Sequence, residues 1–92
     1  MGLSKKEIKE LKAQAQEIKP KILIGKNGLT EGTLQSIEEV LTADELVKIK
    51  FLSNSIEIDE EICQAITDAT QAELVQKIGR MLVLYRENED EK

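Results

Sequence analysis

Gly25-Lys26-Asn27-Gly28, followed by Leu29 and Thr30, is the stretch of this chain whose residue types and spacing offer chemistry. Two glycines without a Cβ let the backbone take left-handed dihedrals and let another molecule's backbone come close. Lys26 supplies a cation between them, and Asn27 supplies a donor and an acceptor. A helix opening near Thr30 would add unpaired N–H groups and the positive end of its dipole, so that the stretch suits a phosphate or another anion. A Gly-x-x-Gly pair between a strand and a helix also serves as a plain tight turn, and spacing alone leaves both readings open.

The rest of the composition narrows the chemistry. The 92 residues contain no His and one Cys, so an internal disulfide is ruled out and no zinc or copper site is expected. Cys63 falls in an amphipathic helical pattern and has no histidine to act as its base, which marks it as a small core residue rather than a nucleophile. The glycine stretch matches neither the Walker A pattern nor the three-glycine dinucleotide fingerprint. Glu60 and Glu61 are adjacent, point apart on a helix and cannot share one catalytic site. The expectation is a non-enzymatic protein with no cofactor, no metal and no small-molecule substrate.

Charge is strongly polarised along the chain. Residues 1–28 hold seven Lys and three Glu, a net +4, while the remainder holds six basic and fifteen acidic residues, a net −9. A basic end can therefore meet an anion although the whole chain carries −5. With one Tyr, one Phe and no Trp, stacking of bases on aromatic rings has little to work with, and the core must be aliphatic. No signal-peptide pattern or membrane-length apolar run is present, which makes the cytoplasm the expected location, without membrane association. Nothing in the pattern asks for an obligate oligomer, and a monomer is expected.

The elements that must position the glycine stretch follow from periodicity. Ser4-Lys5-Lys6-Glu7 fits a capping box, with Leu3 and Ile8 placed as a hydrophobic staple, so a helix starts there. Ile8, Leu11, Ala15 and Ile18 form its apolar stripe. At 100° per residue, Lys5, Lys9, Lys12, Gln16 and Lys19 line up along one side of that stripe, with Glu7, Glu10 and Glu17 on the other. This sorted lysine ridge is either a basic flank or a solvated face. Pro20 ends the helix, and Ile22-Leu23-Ile24, apolar at every position, reads as a short central strand.

Thr30 is placed to cap a second helix whose apolar face is Leu34, Ile37, Val40 and Leu41. Glu45–Leu52 alternates, with Val47, Ile49 and Phe51 inward and Lys48 and Lys50 outward. Ser53-Asn54-Ser55 supplies turn and cap residues before a third helix marked by Ile58, Ile62, Ala65, Ile66 and Ala69, with an acidic outer face. Glu73–Ile78 and Met81–Arg86 form a hairpin through Gly79-Arg80. The fold expected is a single compact two-layer α/β domain over residues 1–86, of element order α-β-α-β-α-β-β around a small mixed four-stranded sheet. Residues 87–92 are expected to form a frayed acidic tail.

Four blocks of the chain, in order, resemble the CRM domain, named for chloroplast RNA splicing and ribosome maturation, and its single-domain bacterial and archaeal form, the YhbY family. They are Leu11-Lys12 with Ala15 and Lys19-Pro20; Ile24 through Gly32; Glu45 through Lys50; and Ile78 through Arg86. The resemblance implies a fold similar to the C-terminal domain of a bacterial translation initiation factor. It implies RNA binding on precursor large ribosomal subunits, with intron splicing in plant organelle relatives. The family's Gly-x-x-Gly loop is likened to that of KH domains, which clamps a nucleotide backbone. Carried over, Gly25, Lys26, Asn27 and Gly28 would be the RNA contact loop, with Thr30 beside it and Lys5, Lys9, Lys12 and Lys19 as a basic flank. The sequence departs from many relatives in having Ala43-Asp44 where a histidine precedes the Glu-Leu segment, Thr70-Gln71 where a glycine ends the third helix, and an acidic rather than basic C-terminus. The other reading is a protein adaptor on ribosomal precursor particles that docks through its acidic third helix or a sheet edge.

Overall fold

In the computed structural model, residues 4–53 and 57–87 are described. The elements run α1 (Lys5–Glu17), β1 (Ile22–Ile24), α2 (Glu31–Asp44), β2 (Leu46–Phe51), α3 (Glu60–Thr70), β3 (Glu73–Ile78) and β4 (Met81–Tyr85). This is the expected order around a mixed four-stranded sheet.

The helix starts follow from their caps. Ser4 accepts from the Glu7 N–H at 3.1 Å and donates its own N–H to Glu7 Oε1 at 2.9 Å, completing the capping box. Those bonds to Ser4 hold the Glu7 carboxyl below its ordinary pKa. Thr30 caps α2 through the Thr33 N–H at 3.1 Å. The third helix begins later than expected, because Asp59 takes the Ile62 N–H at 3.0 Å and α3 opens at Glu60. Ile58 then lies just outside the helix and is buried in the same cluster as Cys63, five residues on, in the relation of a hydrophobic staple. The proposed cap residues Asn54 and Ser55, like Leu3 and residues 88–92, lie outside the described residues. Ala65 and Ala69 are exposed, and α3 buries Cys63, Ile66 and Thr70 instead. Thr70 is tolerated there because its hydroxyl donates to the Ile66 carbonyl at 2.7 Å. Burial raises the Cys63 thiol above its ordinary pKa, in keeping with a core residue.

The sheet order is β1-β2-β4-β3, with β1 parallel to β2 and the other pairs antiparallel. The parallel pair needs a crossover, which α2 supplies. β1 is therefore an edge strand rather than a central one. Its apolar run suggested burial on both faces, yet only Ile22 and Ile24 are buried and Leu23 is 57% exposed. The reason is the placement of the helices. α2 and α3 cover one face over Val47, Ile49, Phe51, Leu82 and Leu84. The expected two-layer packing describes that side, and α1 adds a layer on the opposite face. There Leu11 and Ala15 meet Val75 and Val83. A bulge between Leu74 and Gln76 re-aims β3 so that Val75 joins this smaller cluster.

Lys48 fixes the far end of α1. Its ammonium donates to the carbonyls of Ala15 at 3.1 Å and Ile18 at 3.4 Å, at a helix C-terminus that has no basic residue of its own in the last turn. A cation there satisfies orphan acceptors and complements the dipole. Arg86 ties the opposite end of the sheet together. Its side chain reaches Glu38 Oε1 at 2.7 Å, the Thr70 carbonyl at 3.0 Å and Thr42 Oγ1 at 2.9 Å, joining β4 to α2 and α3.

Candidate nucleic-acid interface

The glycine loop hangs between a buried anchor and a half-buried one. Ile24 is 1% exposed before it, and Leu29 packs on the main core after it. Between them the Gly28 N–H closes on the Gly25 carbonyl at 3.0 Å, a four-residue turn with Lys26 and Asn27 exposed at its tip. Neither of these side chains has a hydrogen-bond or ion-pair partner among the described residues. The base of the loop is fixed and its polar tip is free.

The two glycines serve different ends. Gly28 has φ +74°, in the region a side chain rarely adopts, so the turn itself requires it. Gly25 has no such φ, and a Cβ built on it would meet nothing within 4 Å. Its bare backbone answers no need of the fold and leaves room for something from outside. Gly25→Ala is accordingly expected to raise stability by about 0.5 kcal/mol through the unfolded chain. Gly28→Ala should lower it by about 1 kcal/mol. Paired urea titrations check both signs; a loss at Gly25 would mean that its backbone is a structural requirement after all.

The α2 N-terminus beside the loop is partly occupied. The Thr30 hydroxyl is engaged by Thr33, and Glu31 in the first turn sets a carboxylate against the dipole, reducing what the helix offers an anion. Thr30 thus acts first as a cap. The positive charge available to a ligand comes from lysines.

Lys5 and Lys9 are exposed on α1, and Lys12 is half-buried. The helix ends at Glu17 with Ile18 extended, so Lys19 lies past the ridge, exposed in the connection to β1. None of these four pairs with a carboxylate among the described residues. The flank they occupy can be oriented. Glu7, Glu10 and Gln14 line a groove with Asp44, Glu45, Leu46 and Tyr85, facing the end of the sheet where β2 begins. The lysines, on the other side of the buried stripe, face the end where β1 runs into the glycine loop. Loop and ridge thus border the same end of one sheet face.

Two lysines outside the sequence-based set complete the picture. Lys48 is held under the α1 terminus, whereas Lys50 is exposed on the same face, beside Leu23 of β1. The alternation of β2 had already put both on the side away from the main core. On the opposite face, α3 and β3 form a groove of about 600 Å³ lined by Asp59, Glu60, Asp68 and Glu73, with Leu74 exposed in it; its charge would repel a polyanion. Among the described residues no cluster could hold a metal ion, and no helix is long and apolar enough to cross a membrane.

Known proteins resemble this chain over nearly its whole length. The model of the CRS1 / YhbY (CRM) domain matches residues 3–86. The chain is 43% identical over 90 residues to a Haemophilus influenzae protein named "RNA-binding protein", covering 98% of this chain and 91% of that one. It is 32% identical over 90 residues to the Bacillus subtilis "Probable RNA-binding protein YqeI", covering 98% and 94%. Among solved structures it resembles a Staphylococcus aureus protein titled "a putative RNA binding protein", with TM-score 0.81 and 36% identity, over 99% of this chain and 95% of that one.

Proposed function

Because the chain belongs to the CRS1 / YhbY (CRM) domain family, we propose that it is a non-enzymatic RNA-binding protein that contacts structured ribosomal RNA through the Gly25–Gly28 loop and the lysine flank of α1. The observation that carries this reading is Gly25. A glycine that the fold does not require stands next to a lysine and an asparagine that have no partner among the described residues, at the tip of a turn anchored on both sides. The relatives named for RNA binding supply the class of ligand. The family's resemblance-based tie to precursor large ribosomal subunits supplies the setting, assembly of that subunit in the cytoplasm.

In this reading the loop backbone approaches a phosphodiester and Lys26 neutralises a phosphate. Asn27 hydrogen-bonds to phosphate or sugar, and Lys9, Lys12 and Lys19 extend the track, with Lys5 at its far end. Such contacts position the protein and read little sequence, so recognition rests on RNA shape. Few phosphates are neutralised, which makes affinity modest and salt-sensitive.

Fluorescence anisotropy with a structured ribosomal RNA fragment at two salt concentrations tests the reading. Lys26→Glu is expected to weaken binding about tenfold and to make the salt slope shallower by about one. Gly25→Leu, whose side chain points into open space, should weaken binding similarly while the fold persists. Wild-type affinity in both variants would remove the loop from the interface. A second reading is favoured by the acidic groove between α3 and β3, where Leu74 is 40% exposed. It fits a basic segment of a protein partner and predicts retention on ribosomal precursors without binding to naked RNA.

A further inference from the structure

Three of the four large hydrophobic side chains exposed on the described surface lie along one end of one face of the sheet. They are Leu23, Leu52 and Ile78, at 57%, 56% and 43% exposure. The sheet register explains why. Leu23 pairs with Lys50, Lys50 with Met81, and Met81 with Ile78, so these four form one row across all four strands. All four face the α1 side. α1 covers the rows beneath, through Leu46, Lys48 and Val83, and stops short of this one. Leu52 continues the ladder beyond β2, its N–H bonded to the Ile24 carbonyl at 2.8 Å, and alternation turns it to the same side.

The surroundings of the row indicate its occupant. On the β1 side the chain passes directly from Ile24 into the glycine loop. The lysine flank of α1 overlooks the row, and Lys50 lies within it. The row contains no carboxylate. An apolar floor between cationic borders does not suit a basic peptide. It suits a chain with anionic links and flat, poorly solvated faces. Across four strands the row spans about 14 Å, room for about two or three nucleotides.

We propose that this helix-free end of the sheet receives unpaired bases of the RNA whose backbone the Gly25–Gly28 loop holds. The inference rests on the RNA-binding reading and adds to it the nature of the ligand, a single-stranded segment next to a clamped phosphate. With no aromatic ring in the row, the bases lie on aliphatic side chains. Contact comes from apolar burial rather than ring stacking, so little sequence preference is expected.

The test compares a single-stranded RNA of about a dozen nucleotides with a duplex of the same sequence, by anisotropy. Leu23→Thr combined with Ile78→Thr removes apolar surface at exposed strand positions and leaves a β-branched residue, suited to a strand, at both. This double variant should bind the single strand about tenfold more weakly, with an unchanged salt slope and unchanged affinity for the duplex. Leu23→Tyr, which supplies a ring, should tighten single-strand binding. If both variants bind the single strand as wild type does while Lys26→Glu still loses affinity, the base platform falls and the loop reading stands. If wild type binds neither RNA, both fall. A concentration-dependent dimer in sedimentation that the double variant lacks would give the face to a second copy of the chain and overturn the proposal.

Discussion

Phe51→Ala is expected to lower the free energy of unfolding by about 3–5 kcal/mol, a large part of what a domain of this size has. Phe51 is the largest of the fully buried side chains, at 1% exposure, and closes the main core at the end nearest the loop. It is paired with Ile24, and its N–H bonds to the Arg80 carbonyl at 2.8 Å, so it touches both the strand that carries the loop and the hairpin turn. No other ring is buried in that cluster to fill the space. Urea titration should show a lower midpoint with a similar slope. A loss below about 1 kcal/mol would mean that neighbouring Ile and Leu side chains collapse into the cavity, contrary to a tightly packed core.

Arg86→Met is the second large effect, at about 2–3 kcal/mol. Two helices, α2 and α3, converge on this guanidinium, which is only 18% exposed. Removing it strands the Thr70 carbonyl at the end of α3 and leaves Glu38 without its cation. Glu38→Gln keeps an acceptor in place and should cost less than about 1 kcal/mol, since Glu38 is itself nearly half exposed. Equal losses in the two variants would place the energy in the ion pair rather than in the bonds to the backbone and Thr42.

What could be read beforehand was local. The capping box at Ser4, the Thr30 cap, the alternation of β2 and the Gly79-Arg80 hairpin, with Gly79 at φ +55°, each depend on residues within a few positions of one another. The glycine loop was legible for the same reason. What escaped depended on distant partners. Three consecutive apolar residues in β1 carry no mark of which neighbour is missing, so its edge position and the exposure of Leu23 emerged only from the sheet order. Lys48 read as a surface lysine because nothing near it in sequence announces the carbonyls of Ala15 and Ile18. Likewise Ile58 fits the apolar period of α3 and is buried with it, yet lies before the Asp59 cap and is not helical. The lysine ridge was visible as a pattern, but the end of the sheet it overlooks required the packing of α1.

The short edge strand has one more implication. β1 has three residues and a single strand neighbour, so it is the sheet element most easily released by local opening, while β2, β4 and β3 hold each other. The loop is thus hung from the least tightly held strand of a well-held sheet. A ligand that grips the loop only when β1 is docked must favour docking by the same free energy that docking lends to the grip. Affinity and the local order of this strand are therefore two sides of one equilibrium, and changes buried beneath Ile22 or Ile24 can tune binding without touching the ligand.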